Sequence, residues 1–81
     1  MTVKIVLFAR AKELVGQEKL SMEFPAAATV LDLKKELTDQ YPKLSDFLKH
    51  CAIAVDQNYA NDDQILTEGC EVGLIPPVSG G

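Results

Sequence analysis

Few residues in this 81-residue chain have the types and spacing that chemistry needs. His50 is its single histidine and falls at the end of a candidate helix, where an imidazole more often caps or faces water than catalyses. Cys51 and Cys70 stand apart, without the paired spacing of a zinc knuckle or a redox motif. They are expected as reduced, partly buried thiols. Asp56, Asp62 and Asp63 cluster in turn-forming stretches where carboxylates accept local backbone hydrogen bonds, and their spacing is not that of a calcium loop. No metal site is expected. Gly69 and Gly73 are not followed by the Lys and Ser or Thr that complete a phosphate-binding loop.

What remains is the ending Pro76-Pro77-Val78-Ser79-Gly80-Gly81. Its side chains carry no charge, and two consecutive prolines favour an extended path that holds the segment away from a sheet. Six extended residues reach at most roughly 20 Å, enough to thread a narrow channel in another protein. Gly80 and Gly81 add no side chains, so a reactive group at the Gly81 carboxylate could pass a constriction and be approached closely. A diglycine at an arbitrary terminus is ordinarily a frayed end, and only the elements before it change that reading.

Those elements are legible from alternation and turn residues. Val3, Ile5 and Leu7 share one face of a first strand, with Lys4, Val6 and Phe8 on the other. One helical turn is expected over 11–15, and Gly16-Gln17 reverses the chain into a second strand with Leu20, Met22 and Phe24 inward. Thr29 is a good N-cap, Asp32 sits near the positive end of the helix dipole, and Val30, Leu33, Leu37 and Tyr41 recur at helical spacing. The principal helix is therefore expected over about 30–40, ended by Pro42. A short helix over 44–49, a strand with Ile53 and Val55 inward, a turn at Asp56-Gln57-Asn58 and a brief strand at Tyr59-Ala60 follow. The Thr67-Glu68-Gly69 turn leads into a last strand carrying Val72 and Leu74 on one face, and Pro76-Pro77 ends the ladder. One long helix on one face of one sheet makes an α+β roll, with a domain over 1–75 and an extended functional tail over 76–81.

Bulk composition removes whole classes of function. A chain this short fits a single thin-cored domain in which an enclosed catalytic cavity is hard to build. The net charge of −4 repels phosphate backbones, and no Lys- and Arg-rich run interleaves with aromatics. Nucleic acid is not expected as a ligand. No apolar stretch approaches a membrane span and no secretion signal opens the chain, which gives the expectation of a soluble cytosolic protein.

Val6-Leu7-Phe8-Ala9 and Lys12-Glu13-Leu14-Val15-Gly16 near the start, with Glu68 to Gly81 at the end, resemble the small-subunit family of molybdopterin synthase, and the strand order resembles the ubiquitin-like β-grasp fold. The resemblance covers nearly the whole chain and is weakest between Lys43 and Asp62. It implies one mixed sheet with one principal helix packed on one face. It implies further that an ATP-using adenylyltransferase related to ubiquitin activators adenylates the Gly81 carboxylate, which is then exchanged for a thiocarboxylate, with Gly80 giving access. A carboxylate is a poor electrophile, whereas an acyl adenylate carries a leaving group that sulfur displaces. The thiocarboxylate would donate dithiolene sulfur to cyclic pyranopterin monophosphate in the pocket of a large subunit, within a heterotetramer of two small and two large subunits. Catalytic machinery of the chain's own is not implied, nor a permanently bound cofactor; the nucleotide is consumed by the activator. Phe8 and Ile75 are expected to meet on the open sheet face as a partner-binding patch, with Tyr59 at its rim and Pro76, Pro77, Val78 and Ser79 as the threading segment. Neighbouring readings are a carrier for thiamine synthesis or transfer RNA thiolation, a modifier joined to target lysines, and a structural β-grasp module with a dispensable tail.

Overall fold

The computed structural model describes residues 1–76. Strand β1 (Thr2–Leu7) is followed by helix α1 (Ala9–Val15), strand β2 (Lys19–Glu23) and the long helix α2 (Val30–Gln40). A 3₁₀ turn (Pro42–Leu44) leads into helix α3 (Ser45–His50), and strands β3 (Ala52–Val55), β4 (Asn58–Ala60) and β5 (Glu71–Ile75) follow. The five strands form one mixed sheet in the order β2-β1-β5-β3-β4. β5 lies parallel to β1 and antiparallel to β3, while β1/β2 and β3/β4 are antiparallel pairs.

The alternation in β1 becomes a division of labour between faces. Val3, Ile5 and Leu7 are buried, and Val72 and Leu74 join them from β5 through the register Ile5↔Val72 and Leu7↔Leu74. Val30, Leu33 and Leu37, one stripe of α2, are fully buried in the same cluster. Each fully buried Leu or Ile contributes about 1.5–3 kcal/mol, so this two-layer seam carries most of the stability of so small a domain. Helices α1 and α3 add Ala11 and Leu48 to it, and the 3₁₀ turn adds Leu44. This is the α+β roll expected from the sequence.

Several elements differ from expectation in extent: β1 stops at Leu7, leaving Phe8 as the N-cap of α1, and β4 takes in Asn58, expected in the turn. α1 covers seven residues, two turns in place of one, because Phe8 remains extended while its carbonyl accepts from the amides of Ala11 (3.0 Å) and Lys12 (3.4 Å). It ends at Gly16, whose φ of +84° suits glycine and whose amide donates to the Lys12 carbonyl. α3 begins at Ser45, since Leu44 closes the preceding 3₁₀ turn. α2 has the expected span: Thr29 caps it through a reciprocal box, its hydroxyl accepting from the Asp32 amide while its own amide donates to the Asp32 carboxylate. Those hydrogen bonds from Thr29, backbone first and side chain second, hold the Asp32 carboxyl below its ordinary range.

Candidate functional site

Strand register fixes what the open face of the sheet presents. Val6 pairs with Gly73, Gly73 with Ala54, and Ala54 with Tyr59, so one row crosses four strands with small residues at its centre. A neighbouring row holds Ile75 opposite Ala52, and Lys4, Glu71 and Ser21 form a polar row on the other side. The apolar rows lie towards the end of β5, from which Pro76 continues the chain.

At Gly73 a side chain is missing where two others arrive. A Cβ built there would lie 3.5 Å from Ile75 Cδ1 and 3.6 Å from Phe8 Cε2, so both side chains lean over this glycine. The structure thus brings Phe8 and Ile75 together on the open face. Phe8 is 45% exposed, unusual for a phenylalanine beside a sheet. Tyr59, 79% exposed, stands on the same face at the outer strand, two strands from Gly73. Ile75 and Pro76 are half-buried. Pro77, Val78, Ser79, Gly80 and Gly81 lie outside the described residues.

Sequence reasoning passed over Gly73, Ala52 and Ala54, which floor the patch. Their signal was present: in Ala52-Ile53-Ala54 and Val72-Gly73-Leu74 the small residues occupy the positions that alternate with the core. An open-face row of Gly and Ala lets a partner's side chains approach the backbone closely.

Elsewhere the groups that could react are tied to structural duties. His50 is exposed at the end of α3 with Nδ1 3.1 Å from the Asp46 carbonyl. Cys51 and Cys70 are both free, Cys70 being buried; burial pushes the Cys51 thiol up, against a smaller opposing pull from Lys34, which makes it a poor nucleophile. Asp56 accepts the Glu71 amide at 3.0 Å and Asp62 pairs with Lys34 at 2.7 Å. Among the described residues no three His, Cys, Asp or Glu side chains group closely enough to hold a metal ion, and no helix is long and apolar enough to cross a membrane.

The chain is similar to known proteins along its whole length. The molybdopterin synthase sulfur carrier subunit of Caenorhabditis briggsae is 40% identical over 83 residues, covering 100% of this chain and 99% of the relative. Among solved structures, small archaeal modifier protein 1 from Haloferax volcanii superposes with a TM-score of 0.88 at 27% identity, covering 100% of both chains. A chain of the complex of subunits 1 and 2 of molybdopterin-converting factor from Helicobacter pylori does so with a TM-score of 0.71 at 26% identity, again covering 100% of both. These superpositions carry the fold assignment, a ubiquitin-like β-grasp. The sequence profile of the ThiS family matches residues 5–81, from inside β1 through the diglycine, and the chain belongs to that family.

Proposed function

We propose that this protein is the sulfur carrier subunit of a molybdopterin synthase. The observation that carries the reading is end-to-end similarity, at 40% identity, to a protein of that function, together with the ending Pro76 to Gly81 that follows the last strand directly. The Gly81 carboxylate attacks the α-phosphate of ATP within an adenylyltransferase, pyrophosphate leaves, and a sulfur nucleophile displaces AMP to give the thiocarboxylate. That sulfur is then delivered to cyclic pyranopterin monophosphate in a large subunit, where two carriers and two large subunits assemble in the cytosol. The patch of Phe8, Gly73, Ile75 and the rim residue Tyr59 docks on the large subunit, and 76–79 lead the diglycine to the reacting atoms. The precursor is anionic and so is this chain, so the large subunit supplies the cations that hold its phosphate.

The likeness to small archaeal modifier protein 1 favours a second reading, in which Gly81 is joined to a lysine of another protein. One measurement separates them. The purified chain, incubated with ATP, an adenylyltransferase and a sulfur source, is weighed intact: exchange of one terminal oxygen for sulfur is the expected product. A mass equal to the chain joined to a second protein through lysine, with no sulfur-bearing species, would assign the modifier role instead.

A further inference from the structure

The outer edge of β2 carries a self-complementary pattern. β2 is the first strand of the sheet order and, among the described residues, pairs only with β1. Met1 and Phe24 exchange two backbone hydrogen bonds, at 2.6 and 2.8 Å, and the Leu7 amide donates to the Glu18 carbonyl at 2.8 Å. Alternation along the ladder therefore turns the even-numbered residues of β2 towards β1 and aims the backbone N–H and C=O groups of Lys19, Ser21 and Glu23 outward. The side chains of those three residues lie on the open face and are exposed, whereas Leu20 and Met22 face the helix layer.

We infer that a second copy of this chain pairs with this edge, antiparallel, about a two-fold axis through Ser21. In that register Ser21 meets Ser21 of the other copy, and Lys19 of each copy stands opposite Glu23 of the other, which forms two equivalent ion pairs on the open face. On the opposite face Leu20 meets Met22 of the other copy, so charge meets opposite charge and apolar meets apolar in the same alignment. Other alignments do not match. An axis through Lys19 or Glu23 sets like charges together, and one through Leu20 or Met22 places Lys19 opposite Ser21 or Pro25. Lysine on an edge strand ordinarily wards off pairing, but here Glu23 at the other end of the strand cancels that protection for this one partner. The Thr2 hydroxyl donates to Glu23 Oε2, which fixes the carboxylate on this face, and Lys19 has no ion-pair partner among the described residues.

The contact is weak, since five residues per copy bury far less than the ~1,600 Å² of a standard stable interface, and association is expected on the order of 100 µM. The pairing lies in the plane of the sheet. It leaves the Phe8–Gly73–Ile75 patch uncovered on both copies, turns both open faces to the same side, and points the two β5 ends in opposite directions.

Sedimentation equilibrium of the full chain at low salt tests the assignment. The parent should dimerise reversibly, while Lys19→Glu and Glu23→Lys, each alone, should associate at least tenfold more weakly. An equimolar mixture of the two should recover parent-like association, because each now faces opposite charges in the other. Ser21→Pro, which removes an outward N–H that the monomer's ladder does not use, should abolish pairing and provides a second route if a charge variant misfolds. A parent that stays monomeric at millimolar concentration, single variants that associate like the parent, or a mixture that fails to recover would each overturn the proposal.

Discussion

Gly73 shows how much a single residue can set. Side chains at its register neighbours Val6 and Ala54 are modest, and Phe8 and Ile75 incline over the space that its missing Cβ leaves. An aromatic ring held this way is an anchor of the kind that dominates interfaces, while contributing little to the monomer because it is nearly half exposed. Phe8→Asp is therefore expected to weaken binding to a large subunit by about 2 kcal/mol or more, about thirtyfold in Kd, while changing the monomer's stability by less than about 1 kcal/mol. Calorimetric titration paired with thermal melts checks both halves; an unfolded variant, or one binding like the parent, would remove Phe8 from the interface. Asp32 makes a different prediction, one that depends on pH. Its carboxyl is held below its ordinary range in the folded protein, so its ionised form stabilises the fold at pH values above the unfolded aspartate's range, and that contribution is lost as pH falls through the lowered folded value. Asp32→Asn should melt below the parent at neutral pH, and the gap should close as the solution is acidified. A gap that stays constant down to acid would mean that the charge is irrelevant to the cap.

At the scale of elements, periodicity did most of the positioning. The strict alternation of Leu20, Met22 and Phe24, and the 3–4 spacing of Val30, Leu33 and Leu37, carry the two-layer packing. What alternation could not convey was anything decided by neighbours distant in sequence: that β5 lies beside β1, or that Gly73 of β5 and Ala52 and Ala54 of β3 would come together on two adjacent strands. Backbone geometry hid for the same reason. Ala9 adopts a φ of +46° where the chain leaves β1 for α1, which nothing in alanine's chemistry advertises. The β3–β4 hairpin carries two such residues, Asp56 at +48° and Gln57 at +72°, the pattern of a two-residue turn that ordinarily takes Asn-Gly. Asp56 is retained there by its bond to the Glu71 amide, but Gln57 makes no side-chain hydrogen bond among the described residues. Gln57→Gly should stabilise the domain by about 0.5–1 kcal/mol, read as a melting temperature raised by a few degrees. An unchanged or lower melting temperature would show that the glycine's added freedom in the unfolded chain outweighs the relief of strain.

For the molecule as a whole, folding and function are assigned to separate stretches. Among the described residues the last buried side chain is Leu74, and the proposed chemistry falls on Gly81, seven residues later in the sequence. Removing Gly81 moves the carboxylate back by up to about 3.5 Å, outside bonding range of a fixed reaction centre, while leaving the core untouched. The shortened chain should melt like the parent and still bind a large subunit, yet yield no molybdopterin in a purified system with precursor, activator and sulfur source; product formation would return the ending to a frayed terminus. The parallel pairing of β1 with β5 has a consequence for how the protein comes into being. β1 and β5, the first and last of the described strands, are adjacent in the middle of the sheet, so contacts of great sequence separation are also central ones, a topology that folds slowly. On the ribosome β1 has only β2 for company until β5 emerges, and the seam between sheet and α2 stays open. A chain cut short before Glu71 would lack β5, the strand that joins the β1–β2 and β3–β4 pairs into one sheet, and is therefore expected not to fold.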